Sequence, residues 1–298
     1  MNALQRNILN NVASVSPLII EGGAVVGIRP DKQALLNIVV PTGIRIIRDW
    51  VFDGCIALTS LTLPDTLKRI CNYAFYKCSG LISLTLPSSL TSIGENAFCC
   101  CSGLTSLALP KGLNEIGYGA FNGCSGLTTL TFANTMNCVP GSMLVGCCGL
   151  TSLTLPETVT FVDNWALNYC SGLTSVTLPG SLTAVGYGAF AGCSSLSSLI
   201  LPDALADVGK YAFKDCKGLV SVVFRPRASH AFITWAVGNS RNRNNWQLTT
   251  LKRLRNIMRL ITTFTFEEPR DTITIDPTGG KYVFKNCPRL IVASSALY

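Results

Sequence analysis

The sequence predicts an α/β repeat solenoid of 23-residue coils, and three observations carry that prediction. Eight cysteines, Cys55, Cys78, Cys101, Cys124, Cys147, Cys170, Cys193 and Cys216, recur every 23 residues without a slip. A leucine triplet follows in the pattern L-x-x-L-x-L, as in Leu81, Leu84 and Leu86 or Leu104, Leu107 and Leu109. A proline stands 14 residues before the cysteine at Pro41, Pro64, Pro87, Pro110, Pro156, Pro179 and Pro202. A period of roughly 20 to 50 residues marks an architecture in which each unit buries its apolar face only against its neighbours.

The chain opens with a flank or cap over residues 1–37. Met1 to Pro17 holds one arginine and several asparagines but no long apolar run, so no secretory signal is expected. Residues 38–224 carry the repeats. The first unit, with Gly43, Ile46, Trp50, Val51 and Phe52, is worn, as terminal repeats are. In each unit the alternation within the triplet argues one short strand with two leucines pointing inward. Proline lacks an N–H and ends that strand. The chain then returns inward with an aliphatic residue (Ile70, Ile93, Ile116, Val185, Val208) and an Ala-Phe pair such as Ala74-Phe75 or Ala189-Phe190. Gly94, Gly117, Gly186 and Gly209 read as backbone turns. Stacking gives columns of Leu, Ile, Phe and Cys down one core. The unit ending at Cys147 departs, with Ala133 for proline and Met143-Leu144 for Ala-Phe. The next has Ala166-Leu167, so the middle of the solenoid is expected to bend or loosen.

The unit, read from Cys170 to Gly192, resembles the BspA-like leucine-rich repeat of surface and interaction proteins in bacteria and unicellular eukaryotes. The resemblance covers about residues 38–224 and returns in a terminal fragment, 281–298, where Tyr282-Val283-Phe284-Lys285-Asn286-Cys287 echoes Tyr211-Ala212-Phe213-Lys214-Asp215-Cys216. It implies a right-handed coil of the leucine-rich-repeat type with one short parallel strand per unit. It also implies a non-enzymatic scaffold for macromolecular binding, foremost to another protein.

With 298 residues and 48% hydrophobic content, the chain buries a large core in one elongated domain. Its apolar residues are parcelled out every two or three positions, which excludes a spanning helix. Cysteines on stacked coils lie roughly 5 Å apart with parallel Cβ vectors, a geometry for buried thiols rather than disulfides. Cys71, Cys138 and the neighbours Cys99, Cys100 and Cys148 fall outside the ladder and are expected at the surface. Without a signal or an N-x-[ST] acceptor, a reducing intracellular compartment is expected, with the cell surface as the alternative.

The net charge of +8 has one source. Residues 225–260 hold Arg225, Arg227, Arg241, Arg243, Lys252, Arg253, Arg255 and Arg259 with no acidic residue, while the rest of the chain balances 16 basic against 16 acidic residues. The segment breaks the period, since Cys216 and Cys287 are 71 residues apart. Trp246 to Phe264 reads as an amphipathic helix, so residues 225–280 are expected to form a basic, partly helical insertion. It either caps the open end of the solenoid or uses Arg241, Arg243, Lys252, Arg253, Arg255 and Arg259 to contact nucleic acid or an anionic membrane.

Catalysis finds no constellation. His230 is the single histidine and has no carboxylate near it in sequence, no C-x-x-C pair has metal spacing, and no glycine cluster cradles phosphate. No metal or cofactor is expected. The residues alternating with the buried leucines are Ser60, Thr62, Ser83, Thr85, Ser106, Thr129, Thr131, Ser152, Thr154, Ser175, Thr177 and Ser198. Stacked at about 4.8 Å they form two columns of small hydroxyls. That face is the candidate binding surface for a partner, or more remotely for a glycan or ice lattice. It lacks the Trp, Tyr and Arg anchors of protein interfaces.

Overall fold

A computed structural model describes residues 16–29, 35–224, 286–287 and 291–294. They wind into a repeat solenoid of right-handed type with about eight turns of 23 residues. Parallel pairing joins residues 23 apart, as in Ser60 with Ser83 and Ser83 with Ser106. The strands of the leucine triplets run Asn37–Val39, Ser60–Thr62, Ser83–Leu84, Ser106–Ala108, Thr129–Thr131, Ser152–Thr154, Ser175–Thr177, Ser198–Leu201 and Ser221–Phe224. Their pattern is exposed, buried, exposed, with Leu61, Leu107, Leu130 and Leu153 inward. The strands build the front ladder.

One strand per unit is too few. A second ladder of two-residue strands runs Ile46–Ile47, Arg69–Ile70, Ser92–Ile93, Glu115–Ile116, Cys138–Val139, Phe161–Val162, Ala184–Val185 and Asp207–Val208. The aliphatic residue that returns the chain inward is its second member. Burying that residue extends the backbone, and the extended segment finds its equivalent one coil away. The α part of the expected class is absent from the described residues. The segment carrying Ala-Phe is a run of turns, because its N–H groups bond to the next coil rather than along a helix. Phe52 donates to the Ala74 carbonyl at 2.8 Å, and Phe75 to Ala97 at 2.8 Å. Each such turn holds two left-handed residues four apart, such as Tyr73 and Lys77 or Asn96 and Cys100, which a helix does not tolerate. The helix expected over Trp246 to Phe264 lies outside the described residues.

The turns put aromatic rings in register. Phe52, Phe75, Phe98 and Phe121 stack with centroids 4.9, 5.0 and 5.5 Å apart and are fully buried. Met143, Leu144, Ala166 and Leu167 interrupt the stack but are equally buried, and it resumes with Phe190 and Phe213 at 5.2 Å. The ladder cysteines are buried, reduced and bonded. Each thiol from Cys78 to Cys216 donates to the carbonyl of the residue 26 before it, as Cys101 does to Phe75 at 3.1 Å and Cys170 to Leu144 at 3.1 Å. Burial pushes the Cys147 and Cys193 thiols up to about 12. Of the cysteines outside the ladder, Cys148 is exposed, Cys71, Cys100 and Cys138 are half-buried, and Cys99 is buried, contrary to its expected place.

Gly94, Gly117, Gly186 and Gly209 are not left-handed turns. They let coils touch: a Cβ on Gly117 would stand 2.4 Å from the Glu95 nitrogen. The expected loosening of the middle affects the backbone and not the core. The front ladder is unpaired between Thr129–Thr131 and Ser152–Thr154 and again between Ser175–Thr177 and Ser198–Leu201, and the second ladder is unpaired between Glu115–Ile116 and Cys138–Val139. The coil ending at Cys147 is therefore tied to the coil before it by the front ladder and to the coil after it by the second.

At the start, Leu18–Glu21 and Ala24–Ile28 form a hairpin through Gly22 and Gly23, both left-handed, and Ala24–Val25 extends the second ladder. At the end, Ile291–Ser294 pairs with Ser221–Phe224, and the Cys287 thiol donates to the Phe213 carbonyl at 3.1 Å. The chain thus re-enters the cysteine column after residues 225–285. No helix of the described residues is long and apolar enough to cross a membrane.

Candidate functional site

The front ladder sets its outward residues in rows. Ser60, Thr62, Ser83, Thr85, Ser106, Thr129, Thr131, Ser152, Thr154, Ser175, Thr177 and Ser198 are all exposed on one face. Register brings Ser106 beside Thr129, Ser152 beside Ser175 and Thr154 beside Thr177. A third column, one residue earlier, spends its hydroxyls on stitching coils together. Thr128 Oγ1 donates to the Thr105 carbonyl at 2.9 Å, and Thr174 Oγ1 to Thr151 at 2.8 Å. Apart from Ser60, which donates to Asn37 Oδ1 at 2.5 Å, none of the twelve makes a side-chain hydrogen bond among the described residues. The face is flat, neutral and free to donate and accept. Arg241, Arg243, Lys252, Arg253, Arg255 and Arg259 lie outside the described residues.

A second face went unread in the sequence. Every tryptophan and tyrosine of the described residues lies on the turns between the second ladder and the cysteine column: Trp50, Tyr73, Tyr76, Tyr118, Trp165, Tyr169, Tyr187 and Tyr211. Two clusters result. Near the start, Trp50 and Tyr73 stack with centroids 4.1 Å apart and planes 2° apart, Tyr76 meets both edge-on, and Lys77 lies 5.0 Å over Tyr76. Near the end, Tyr187 contacts Trp165 at 4.8 Å and Tyr211 at 5.4 Å, and Lys210 lies 4.9 Å over Tyr211. Trp50 is 48% exposed and Tyr169 62%. The left-handed backbone at Trp50, Tyr73, Trp165, Tyr169 and Tyr211 turns these side chains outward while the neighbouring Phe points in. The signal was present, since Trp50, Tyr73, Trp165 and Tyr211 differ by multiples of 23, but the position varies too much between units to read as a column.

No group of three or more His, Cys, Asp or Glu placed to hold a metal ion occurs among the described residues. What the two faces offer is contact area: stacked aromatics beside lysines on one, regular hydroxyls on the other.

The profile of the BspA type leucine-rich repeat region matches this chain in six copies, over residues 31–147 and 139–234. The chain belongs to that family. Among solved structures it is similar to a leucine-rich repeat protein from Bacteroides ovatus, 24% identical with a TM-score of 0.62, over 70% of this chain and 62% of that one. A leucine-rich repeat protein from Eubacterium ventriosum is 24% identical with a TM-score of 0.51, over 60% and 58% of the two chains. One from T. pallidum is 31% identical with a TM-score of 0.40, over 55% and 65%. This BspA-type chain thus spans about three fifths of the length of these relatives. Among curated proteins no match is found. The likenesses to the Bacteroides ovatus and Eubacterium ventriosum proteins carry the fold, and a repeat family of this kind is consistent with a binding scaffold.

Proposed function

We propose that this BspA-type solenoid is a non-enzymatic scaffold that binds another protein, with the aromatic turns as its anchoring side and the hydroxyl face as a flatter second contact. One observation carries the reading: every Trp and Tyr of the described residues is on one face, several of them well exposed. Interfaces concentrate binding energy in Trp, Tyr and Arg, whereas Ser and Thr contribute little per residue. A column of thiols that bond to backbone carbonyls rather than to one another supports a reducing compartment as its setting.

The test is capture of a partner from native lysate by three matched variants. Trp50→Asn with Trp165→Asn removes an anchor from each cluster; asparagine already occupies the equivalent left-handed place at Asn96. Ser83→Glu with Ser106→Glu alters the hydroxyl face, and Arg253→Glu, Arg255→Glu and Arg259→Glu reverse the basic segment. The proposal expects a partner held at high salt and lost with the tryptophans. Salt-sensitive capture of RNA or anionic vesicles, abolished by the arginine variant alone, would instead make the chain a basic-surface module.

A further inference from the structure

The gap in the second ladder has a single-residue cause. In the other coils the residue after the buried aliphatic donates its N–H to the equivalent aliphatic carbonyl below. Gly94 donates to Ile70 at 2.8 Å, Gly117 to Ile93 at 2.8 Å, Asp163 to Val139 at 3.0 Å and Gly186 to Val162 at 2.7 Å. In the coil ending at Cys147 that residue is Pro140, which has no N–H to give. The loss spreads one step. Residues 91 and 92 both donate to the Lys68 carbonyl, and 114 and 115 to Thr91, but 137 and 138 make no such bonds. Across the gap, the Asn114 and Ile116 carbonyls accept no hydrogen bond among the described residues, and the Asn137 and Cys138 N–H groups donate none.

The coils stay joined on both sides of this gap. Thr135 Oγ1 donates to Leu113 at 3.0 Å before it, and Gly119 donates to Gly141 at 3.0 Å after it. Over this gap lies a half-open cleft of about 450 Å³ that runs on across the preceding coil to Ser92, Glu95 and Asn72. Ile116, alone in its column, is only half-buried there. Met136 and Pro140 supply further apolar wall, and Tyr118, 53% exposed, stands at the rim with its hydroxyl fixed by the Ser142 Oγ at 2.6 Å. Glu95 and Glu115 line the cleft, neither is in an ion pair among the described residues, and the lining contains no Lys or Arg.

We propose that this cleft receives an arginine side chain of a protein partner. Two unused carbonyls and two carboxylates, of which Glu95 already accepts from Tyr73 and Asn96, outnumber the two unused N–H groups, and no cationic side chain lines the site, so it favours a cationic, donor-rich group. A guanidinium brings five N–H donors in a plane and has weakly hydrated faces that pack on Ile116, Pro140 and the Tyr118 ring. A lysine ammonium brings three donors at one point and leaves the spread acceptors and the apolar wall unmatched. The inference rests on the protein-binding reading for its occupant, but its test needs no partner.

Calorimetric titration of the whole protein with N-acetyl-arginine amide, N-acetyl-lysine amide and N-acetyl-glutamine amide reads the site directly. The arginine amide binds at least tenfold tighter than the other two, and Glu95→Gln with Glu115→Gln weakens it at least tenfold. Pro140→Gly restores the missing donor with the residue already present at Gly94, Gly117, Gly186 and Gly209. It closes the ladder, leaves the melting temperature at or above that of the parent, and abolishes arginine binding. Equal binding of the three amides, no binding at all, or a Pro140→Gly variant that binds as the parent does each overturns the proposal. Loss of the lysate partner in the tryptophan variants is read separately and bears only on the scaffold.

Discussion

Raising the pH should unfold this protein through its cysteine column. A thiol in an unfolded chain ionises near pH 8.5. Burial, or in Cys78 and Cys216 first the neighbouring thiol, pushes Cys78, Cys101, Cys124, Cys147, Cys170, Cys193 and Cys216 upward in the folded solenoid. The folded state then holds those protons where the unfolded state releases them. The advantage is whole below about pH 8.5 and shrinks as the pH rises towards 12. One unit above the unfolded value, each thiol costs about 1.4 kcal/mol of stability. The six raised furthest, Cys78, Cys124, Cys147, Cys170, Cys193 and Cys216, together reach about 8 kcal/mol at pH 9.5, comparable to what a typical domain possesses. Urea melts followed by circular dichroism at pH 7.5, 8.5 and 9.5 check this. Cys147→Ala with Cys193→Ala lowers stability at neutral pH but flattens the dependence by about 3 kcal/mol per pH unit. Equal stability at pH 7.5 and 9.5, or an unchanged slope in the alanine variant, refutes the reasoning.

Three other perturbations follow from the packing. Phe98→Ala empties a ring from the middle of a four-member stack and costs about 3–5 kcal/mol in chemical denaturation, whereas Trp50→Asn, at a half-exposed ring, costs about 0.5–1.5 kcal/mol. Gly117→Ala drives a Cβ to 2.4 Å from the Glu95 nitrogen, so the coils must part, and thermal melting shows a loss of about 1–3 kcal/mol. Ellman's reagent at pH 7.5 modifies exposed Cys148 first, and the ladder thiols react only in denaturant. A Cys148→Ser variant loses the fast phase alone.

The core was legible because a solenoid repeats its chemistry: leucines, the Phe column and the thiols all sit at one period, and each period position is one environment. The second ladder was missed because two residues are too few to alternate. Ile70 and Ile93 announced an inward return, but pairing between Arg69 and Ser92 has no signature of its own. The turns were read as nothing in particular because left-handed backbone accepts Gly54, Lys77, Cys100 and Tyr169 alike at one place, so the sequence there looks unconstrained. The aromatic face hid in that variability. Pro140 was visible, but its effect is a missing bond to Ile116, and a missing bond shows only against coils that make it.

The coil from Thr129 to Cys147 hangs from its two neighbours on different sides. A torque applied along the axis therefore crosses the molecule diagonally at that rung, because its two rails end on opposite sides of the same coil. Under load this step is where the pitch of the spring changes first, while the hydrocarbon filling, sealed by Met143 and Leu144, stays dry.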